Sequence, residues 1–320
     1  MLVLGRAATE SLLDPDDLRR AVADAMADVS AGRASMPPRI AAAVEDRGAI
    51  LAAMPAHLPS LGGLAAKLVT LFPTNAGTAL PTHQAVVVVF DAATGEPAAL
   101  LDGTSITAAR TAAGSALSVD LLARPDAGVL AILGTGVQAR SHADAVTRVR
   151  SFRQVRVAGR DAGRAAALAG ELAGRLGVEV VPVASWAEAC AGADVVCATT
   201  HSPEPVVRRP DLAPGVHVTS VGYNVGGREV DAATVAEATV VVESRAAALA
   251  PPPAGATELA GGAEVHAEIG EIVAGTRPGR TSPEEITLYK SVGVAAQDVA
   301  AAALVLAAAR AAGVGVEVDL

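Results

Sequence analysis

The chain has 320 residues, of which 51% are apolar and 18% charged, the balance of a folded globular protein rather than a disordered one. This length exceeds one ordinary hydrophobic core and predicts two domains. Asp and Glu outnumber Lys and Arg by 34 to 25, and Trp, Tyr and Phe total only six residues. Such a composition argues against a nucleic-acid partner, because phosphates need a basic face and bases need aromatic rings.

The first part of the chain predicts one helix followed by a meander of strands. The helix over residues 14–32 begins at a capping residue, Asp14, and ends at Gly32. Short apolar runs follow at 49–54, 64–71, 85–90 and 98–101, and the turn-forming segments between them are typical of β-structure. Residues 105–122 are rich in alanine and predict a helix.

After Pro125 short β-branched runs alternate with helical segments. The predicted strands cover residues 129–133, 155–158, 178–181, 195–198, 216–221 and 239–242. The predicted helices start near Gln138 and cover 162–176, 264–273 and 295–312. This alternation predicts βαβ units and a parallel sheet.

The sequence also suggests a location for the protein. Its most apolar run, residues 299–309, is shorter than the roughly 20 residues that span a bilayer. Acidic residues interrupt the N-terminal stretch, unlike in a signal peptide. We therefore expect a cytoplasmic protein with no membrane partner.

A glycine-rich turn lies between the first strand and the first helix of the alternating region. Residues 134–139 fit the pattern G-x-G-x-x-A. In this context Gly134 permits the tight turn, Gly136 lets a pyrophosphate approach the backbone, and Ala139 allows close packing of helix and strand. Because the helix N-terminus also offers free N–H groups, these residues, with Val137 and Gln138, are predicted to bind a dinucleotide.

The end of the second strand of such a domain selects the cofactor. It carries Gly159, Arg160 and Asp161, with Arg164 one helical turn later. A guanidinium suits a ribose 2′-phosphate, whereas a carboxylate bonds the 2′-hydroxyl. Arg160 therefore predicts NADPH, and Asp161 leaves NADH as an alternative.

These features, together with the N-terminal half, resemble the ornithine cyclodeaminase/mu-crystallin (ketimine reductase) family over nearly the whole chain. The matching segments are Lys67-Leu68-Val69-Thr70, Pro81-Thr82-His83-Gln84, Leu101-Asp102-Gly103, Ile106-Thr107-Ala108-Ala109-Arg110-Thr111-Ala112-Ala113, residues 134–139, Gly192-Ala193-Asp194-Val195-Val196, Glu204-Pro205, Glu268-Ile269-Gly270-Glu271 and Lys290-Ser291-Val292-Gly293. The mu-crystallin branch, whose members use NADPH, is the more similar one.

The resemblance implies an α/β fold with two domains. A Rossmann domain with a doubly wound parallel sheet, residues 116–292, is inserted into a discontinuous α+β domain for substrate binding and dimerisation, residues 1–115 and 293–320. It also implies a homodimer and a small imino or amino acid as substrate. The alanine-rich C-terminal helix supports a dimer contact, since small residues permit close packing.

By resemblance, three cations of the first domain hold the substrate's α-carboxylate: Arg39, Lys67 and Arg110. Arginine binds carboxylates in a bidentate fork, and lysine adds a point charge. Lys67 and Arg110 are also predicted to act in catalysis. Lys67 could donate a proton to the substrate nitrogen if burial and neighbouring cations lower its pKa.

The resemblance adds further residues around the nicotinamide. Thr82 and His83 lie in a turn that would border this ring, and we interpret His83 as structural in preference to a catalytic acid. Thr200, Val221 and Ser291 complete the predicted cofactor-binding set. No His or Cys spacing in the chain indicates a metal site.

Asn224 separates the activities of the family. The cyclodeaminases carry a catalytic aspartate just after the Val-Gly that ends a late strand, and here Asn224 stands at that position. An amide cannot take up the proton that amine oxidation releases. We therefore expect NAD(P)H-dependent reduction of a cyclic imino acid, such as a pyrroline- or piperideine-2-carboxylate.

Three other activities stay open at the level of sequence. One is an ornithine or lysine cyclodeaminase that releases ammonia and recycles its NAD. Another is an amino-acid dehydrogenase or a reductase of open-chain imines. The third is a binding protein that keeps the cofactor without catalysis, which the complete set of Arg39, Lys67 and Arg110 disfavours.

Overall fold

The computed structural model describes residues 1–222, 226–251 and 254–319. Their strands are β1 (Leu2–Leu4), β2 (Ile40–Val44), β3 (Ala49–Leu58), β4 (Gly63–Leu71), β5 (His83–Phe90), β6 (Pro97–Asp102), β7 (Val129–Leu133), β8 (Gln154–Ala158), β9 (Glu179–Pro182), β10 (Val195–Ala198), β11 (His217–Ser220), β12 (Thr239–Val242), β13 (Ala267–Glu268), β14 (Thr287–Lys290) and β15 (Val316–Glu317). Their α-helices are α1 (Arg6–Ser11), α2 (Pro15–Ser30), α3 (Gly103–Leu122), α4 (Val137–Val146), α5 (Ala162–Leu176), α6 (Trp186–Cys190), α7 (Ala232–Glu237), α8 (Arg245–Ala248), α9 (Ile269–Val273) and α10 (Ala295–Ala312).

The chain divides into two compact units. Unit 1 comprises Met1–Arg110 and Val294–Leu320, and unit 2 comprises Thr111–Gly293. The first division falls inside α3, five residues before the boundary expected after residue 115. Because α3 continues through this point without a turn, the sequence carries no local signal for this division.

Unit 1 contains a seven-stranded sheet in the order β15-β1-β6-β5-β4-β3-β2. Strands β3 to β6 form the antiparallel meander that the apolar runs predicted. Strand β2, which was not predicted, pairs antiparallel with β3, and β1 adds parallel to β6. Alternate residues of β3 and β4 are buried on one face. Helix α10 packs against β3, β4 and β5 and also against α2. Asp14 caps α2 as predicted, accepting from the backbone N–H groups of Asp16 and Asp17.

Helix α10 is long and apolar enough to cross a membrane by length and composition, but 61% of it is buried inside the protein. It lies so close to β4 that a Cβ at Gly63 would be 2.6 Å from Val299 Cγ1. The alanines of α10 therefore pack against their own chain. The small residues that suggested a dimer contact are thus largely used inside unit 1.

The sheet of unit 2 is parallel throughout, in the order β13-β12-β14-β11-β10-β7-β8-β9. Strand β7 lies between β8 and β10, so the strand order reverses beside β7, at the switch point where a Rossmann fold binds its ligand. All residues of β7, β10 and β11 are buried. This is the α/β fold expected from the alternating pattern.

The predictions for unit 2 differ from the structure in two places. Strand β14, which joins β11 to β12, was not predicted from its mixed sequence Thr-Leu-Tyr-Lys. Residues 264–273 were predicted as one helix, whereas they include β13 and the short helix α9. The helix begins late because Glu268 and Glu271 form a capping box that fixes its first turn.

Candidate functional site

The glycine turn of unit 2 follows β7 at the switch point. Gly134 has a φ of +123°, and a Cβ there would lie 2.6 Å from Thr199 Oγ1, at the end of β10. Gly136 is the N-cap residue of α4, and a Cβ on it would meet nothing within 4 Å. The turn therefore needs glycine for two reasons: Gly134 avoids a collision, and Gly136 leaves the backbone open to a ligand.

The first residues of α4 fit a bound dinucleotide. Val137 is 64% exposed although it is apolar, while Ala139 is fully buried under the sheet. The Oε1 atom of Gln138 is buried and has no hydrogen-bond partner in the described part of the chain. With the free N–H groups of the helix, these residues would hold the pyrophosphate and cover part of a nicotinamide dinucleotide.

Arg140 and Gly159 brace the turn from two sides. Arg140 Nη1 donates to the carbonyls of Thr135 and Gly136 over 3.2 and 3.3 Å, a contact that the sequence did not predict. A Cβ at Gly159 would lie 2.7 Å from Thr135 Cγ2, so the end of β8 packs directly against the turn. The turn is therefore held in place without a ligand.

The end of β8 presents two exposed guanidinium groups. Arg160 and Arg164 are exposed, and the structure gives neither an ion pair within the described ranges. Asp161 is the N-cap of α5, and its Oδ1 accepts from the backbone N–H of Arg164 over 2.8 Å. The Asp161 carboxylate thus already supports the helix, while the two arginines remain available for a phosphate.

Thr200 and Ser291 are predicted cofactor-binding residues whose hydroxyl groups already have acceptors. Thr200 Oγ1 donates to Glu229 Oε1 over 2.8 Å, and Ser291 Oγ donates to Glu243 Oε1 over 2.7 Å. Each hydroxyl can therefore accept from a ligand but not donate to it. Val221, the third residue of this predicted group, follows β11 and is half-buried.

A buried ionic network lies at the same edge of the unit 2 sheet. Lys290 Nζ donates to Ser220 Oγ, the Gly222 carbonyl and Glu258 Oε1 over 3.0, 2.9 and 3.1 Å. Glu229 accepts from Ser220 Oγ and from the backbone N–H of Gly222 over 2.8 and 2.7 Å. This network was not predicted, because its members come from separate segments and are ordinary surface residue types when taken singly.

The predicted cations of unit 1 meet around a carboxylate that was not predicted. Lys67 Nζ lies 2.7 Å from Asp298 Oδ2, and Arg110 Nε donates to Asp298 Oδ1 over 3.0 Å. Arg110 Nη1 donates to Gln297 Oε1 over 2.9 Å. All four side chains are buried. Lys67 points inward because it shares the buried face of β4 with Ala65 and Val69.

The charges of this cluster shift the proton affinities of its members. Burial lowers the pKa of Lys67 to about 8, with Asp298 opposing the shift and Arg110 and Arg39 adding to it. Burial raises the pKa of Asp298, but Arg110 and Lys67 outweigh it and hold that pKa below its usual value. At neutral pH the cluster therefore contains a paired carboxylate and a lysine close to its own pKa.

Arg39, Thr82 and His83 belong to unit 1 as well. Arg39 is half-buried and close enough to lower the pKa of Lys67, whereas Thr82 is exposed. Burial, followed by the charges of Lys67 and Arg110, lowers the pKa of His83 to about 4. A histidine with this pKa is neutral at physiological pH and is a poor proton donor, which agrees with its interpretation as structural.

Asp298 and Gln297 carried a signal that sequence reasoning could have used. Both are polar residues in the first turn of an otherwise alanine-rich helix. A charge on a helix predicted to be buried is costly unless it is paired, so Asp298 points to a cation elsewhere in the chain. Asn224, the predicted catalytic position, lies outside the described residues.

The matches to known proteins extend across both units. A model of the ornithine cyclodeaminase/mu-crystallin family matches residues 1–313. The ketimine reductase mu-crystallin of Mus musculus is 37% identical over 275 residues, which cover 86% of this chain and 85% of that protein.

Two solved structures are similar over the whole chain. The Delta(1)-pyrroline-2-carboxylate reductase of Thermococcus litoralis, in complex with NADH and L-proline, has a TM-score of 0.94 and 35% identity, covering 99% of this chain and 100% of its own. An archaeal alanine dehydrogenase dimer with bound NAD has a TM-score of 0.89 and 32% identity, covering 100% of this chain and 99% of its own.

Proposed function

The chain belongs to the ornithine cyclodeaminase/mu-crystallin family, and from this premise we propose that it reduces a cyclic imino acid to the cyclic amino acid with NAD(P)H. The observation that carries the proposal is the buried cluster of Lys67, Arg110 and Asp298, which combines carboxylate-binding cations with a proton donor. The similarity to a ketimine reductase and to a pyrroline-2-carboxylate reductase supports the same chemistry.

Reduction of a cyclic imine adds a hydride to the imine carbon and a proton to the nitrogen. A nicotinamide dinucleotide would supply the hydride when bound, and the glycine turn with Arg160 and Arg164 would hold it. In unit 1, Arg110 and Arg39 bind the substrate's carboxylate and orient the ring. Orientation is the main requirement, because a protonated imine is already electrophilic.

Lys67 is the proton donor in this proposal. Its pKa of about 8 lies close to neutral pH, where a general acid transfers protons efficiently. The pKa of about 4 of His83 leaves that histidine largely unprotonated at neutral pH. Asp298 is ionised and hydrogen-bonded to Arg110, so it has no proton to give.

The test supplies the purified protein with two sets of substrates. Pyrroline-2-carboxylate and piperideine-2-carboxylate are given with NADPH or NADH, and ornithine, lysine and alanine are given with NAD. We expect the imines to oxidise the reduced cofactor and yield proline and pipecolate. Ammonia release from ornithine or lysine without net cofactor change would instead identify a cyclodeaminase, and faster turnover of alanine would identify a dehydrogenase.

A preference for NADPH over NADH follows from the two exposed arginines at the end of β8. Loss of one charged contact to a phosphate costs about 1.5–3 kcal/mol, which is roughly tenfold or more. Arg160→Ala should therefore lower the NADPH/NADH ratio of kcat/KM about tenfold. Arg175→Ala is the matched control, since Arg175 lies in the last turn of α5 and pairs with Glu171. A wild-type preference for NADH would contradict the assignment.

We also propose a homodimer that forms through the outer face of the unit 1 sheet. Ile40, Leu51, Leu68 and Val86 are exposed by 71, 45, 37 and 39%, and Leu68 pairs directly with Val86 across β4 and β5. A continuous apolar face of this kind marks an interaction surface, and one relative of this chain is a dimer.

Light scattering tests the dimer. We expect the wild type at twice the chain mass of 31.7 kDa, and Leu68→Asp at the monomer mass, because a charge in an apolar interface is costly. Leu249→Asp, at an exposed leucine of unit 2, should stay dimeric. A monomeric wild type, or a dimer that Leu68→Asp leaves intact, would contradict this interface.

A further inference from the structure

We infer that Asp298 is a positioning residue for the proposed reduction, whose carboxylate keeps the Lys67 ammonium protonated inside unit 1 and anchors the Arg110 guanidinium. The inference rests on the proposed function for the roles of Lys67 and Arg110. The contacts of Asp298 itself do not depend on that function. Each carboxylate oxygen faces a different cation, Oδ2 at 2.7 Å from Lys67 Nζ and Oδ1 at 3.0 Å from Arg110 Nε.

Asp298 and its neighbour Gln297 hold the Arg110 guanidinium. Its guanidinium has five N–H groups; Asp298 accepts from Nε, and Gln297 accepts from Nη1. Asp298 and Gln297 are consecutive in the first turn of α10, so one rigid element fixes the orientation of the guanidinium. The structure gives Nη2 no acceptor among the residues it describes. Nη2 is therefore left to donate to a substrate carboxylate.

The charge of Lys67 depends on the groups around its ammonium. The groups that face it are Asp298 from α10, Arg110 from α3, Arg39 before β2 and His83 from β5. Burial and the positive charges of Arg110 and Arg39 disfavour the ammonium form of Lys67. Among these four groups, Asp298 alone favours it. Without a carboxylate, a fully buried lysine can lose its proton near pH 5–6, roughly, and would then be neutral at pH 7.

The net charge of the cluster is positive. Lys67 and Arg110 carry two positive charges against the single negative charge of Asp298. These two cations keep one surplus positive charge and Arg39 adds a second, so the cluster attracts a substrate carboxylate although Asp298 is present. An amide at position 298 would remove the balancing charge and leave two adjacent buried cations, and the lysine is the one that can relieve this by losing a proton.

The composition makes Lys67 directly observable, because the chain contains only two lysines, Lys67 and Lys290. Labelling with lysine carrying ¹³Cε and ¹⁵Nζ gives two side-chain signals, and Lys67→Met assigns them. The pKa of Lys67 can then be measured by NMR in the protein without cofactor or substrate. This readout does not require any catalytic activity.

The expected result is a Lys67 pKa of about 8 in the wild type and a value lower by about 1–3 units in Asp298→Asn. Asp298→Glu, which keeps the charge, should stay closer to the wild type. Asp28→Asn is the matched control: Asp28 is another buried carboxylate of unit 1, but its partners are Arg33 and Ser60. It should leave the pKa of Lys67 unchanged.

An unchanged Lys67 pKa in Asp298→Asn would overturn the inference. If this variant does not fold, the wild type alone decides: titration of Lys67 below about pH 6 would show that Asp298 does not hold the proton. The alkaline limb of the kcat profile for imine reduction tests the proposed function separately. If the NMR pKa falls in Asp298→Asn while this limb stays in place, Asp298 holds the proton but Lys67 is not the donor.

Discussion

The two lysines of the chain are both buried next to a carboxylate, yet their surroundings differ. In unit 2, Lys290 donates to a hydroxyl, a carbonyl and a carboxylate, so all three of its ammonium protons have acceptors. In unit 1, Lys67 has Asp298 as its ion-pair partner and Arg110 and Arg39 as like charges. Lys290 thus completes a closed network, whereas Lys67 belongs to a cluster with surplus positive charge.

The two lysines show that burial alone does not indicate function. A buried group whose hydrogen bonds are complete stabilises the fold and has no capacity for a ligand. A buried cluster with excess charge is costly in the free protein and gains from a bound anion. The same distinction separates His83, which faces the cations of unit 1, from His142 and His217, whose ring nitrogens bond neighbouring groups in unit 2.

Removal of the unit 1 lysine should give the largest effect. We expect Lys67→Met to lower kcat/KM for imine reduction by about 10²–10⁴-fold, the usual loss when a general acid is removed. The free energy of unfolding should fall by far less than the activation free energy of the reaction rises, because Asp298 keeps its hydrogen bond from Arg110. Steady-state kinetics and urea unfolding measure the two effects on the same sample. Activity within threefold of the wild type would remove Lys67 from the mechanism.

Removal of the unit 2 lysine should act on stability instead. Lys290→Met leaves Glu258 buried without its cationic partner, and breaking a buried pair in this way costs about 3–5 kcal/mol. The measurement is the free energy of urea unfolding, with Arg47→Met as an exposed control whose carboxylate partner, Asp46, also lies at the surface. A loss below about 1 kcal/mol, as for surface pairs, would show that the unit 2 network is not closed in the way described.

The buried histidines of unit 2 should make stability depend on pH. Burial lowers the pKa of His142 to about 4 and that of His217 to about 3, against 6.5 when unfolded. Their neutral forms therefore stabilise the fold fully above pH 6.5, and this contribution is lost as the pH falls toward 4 for His142 and toward 3 for His217. At pH 5 each histidine should cost about 2 kcal/mol.

Urea unfolding at pH 7.5 and 5.0 measures this loss. His142→Asn should lose less stability between these two pH values than the wild type. His201→Asn, at an exposed histidine, should lose as much as the wild type. Equal losses in all three proteins would show that His142 is protonated in the folded state.

Much of the unit 2 fold could be predicted from the sequence because its signals are local. Strands such as β7 and β10 are runs of β-branched and aliphatic residues, and the glycine pattern at 134–139 marks the turn where the strand order reverses. Strand β14 was not predicted, because its four residues include Lys and Tyr and show neither alternation nor a continuous apolar run. Its place in the sheet is decided by pairing with β11 and β12, far away in sequence.

The candidate site of unit 1 could be predicted only in part. Lys67 and Arg110 were identified through family resemblance, while Asp298 was missed, although it contacts both. Asp298 is 188 residues from Arg110 in sequence, and no local pattern joins positions so far apart. The alanines of α10, from which a dimer contact was expected, pack largely inside unit 1, because an alanine-rich helix is equally suited to packing inside its own chain.

Transfer of hydrogen to the imine carbon tests the central proposal most directly. The protein is incubated with pyrroline-2-carboxylate and NADPH carrying deuterium at C4 of the nicotinamide, on each face in turn. The product is then analysed by mass spectrometry and NMR. We predict proline with one deuterium at the α-carbon from one of the two labelled cofactors. Proline formation without deuterium from either cofactor, or no proline at all beside ammonia release from ornithine, would contradict imine reduction.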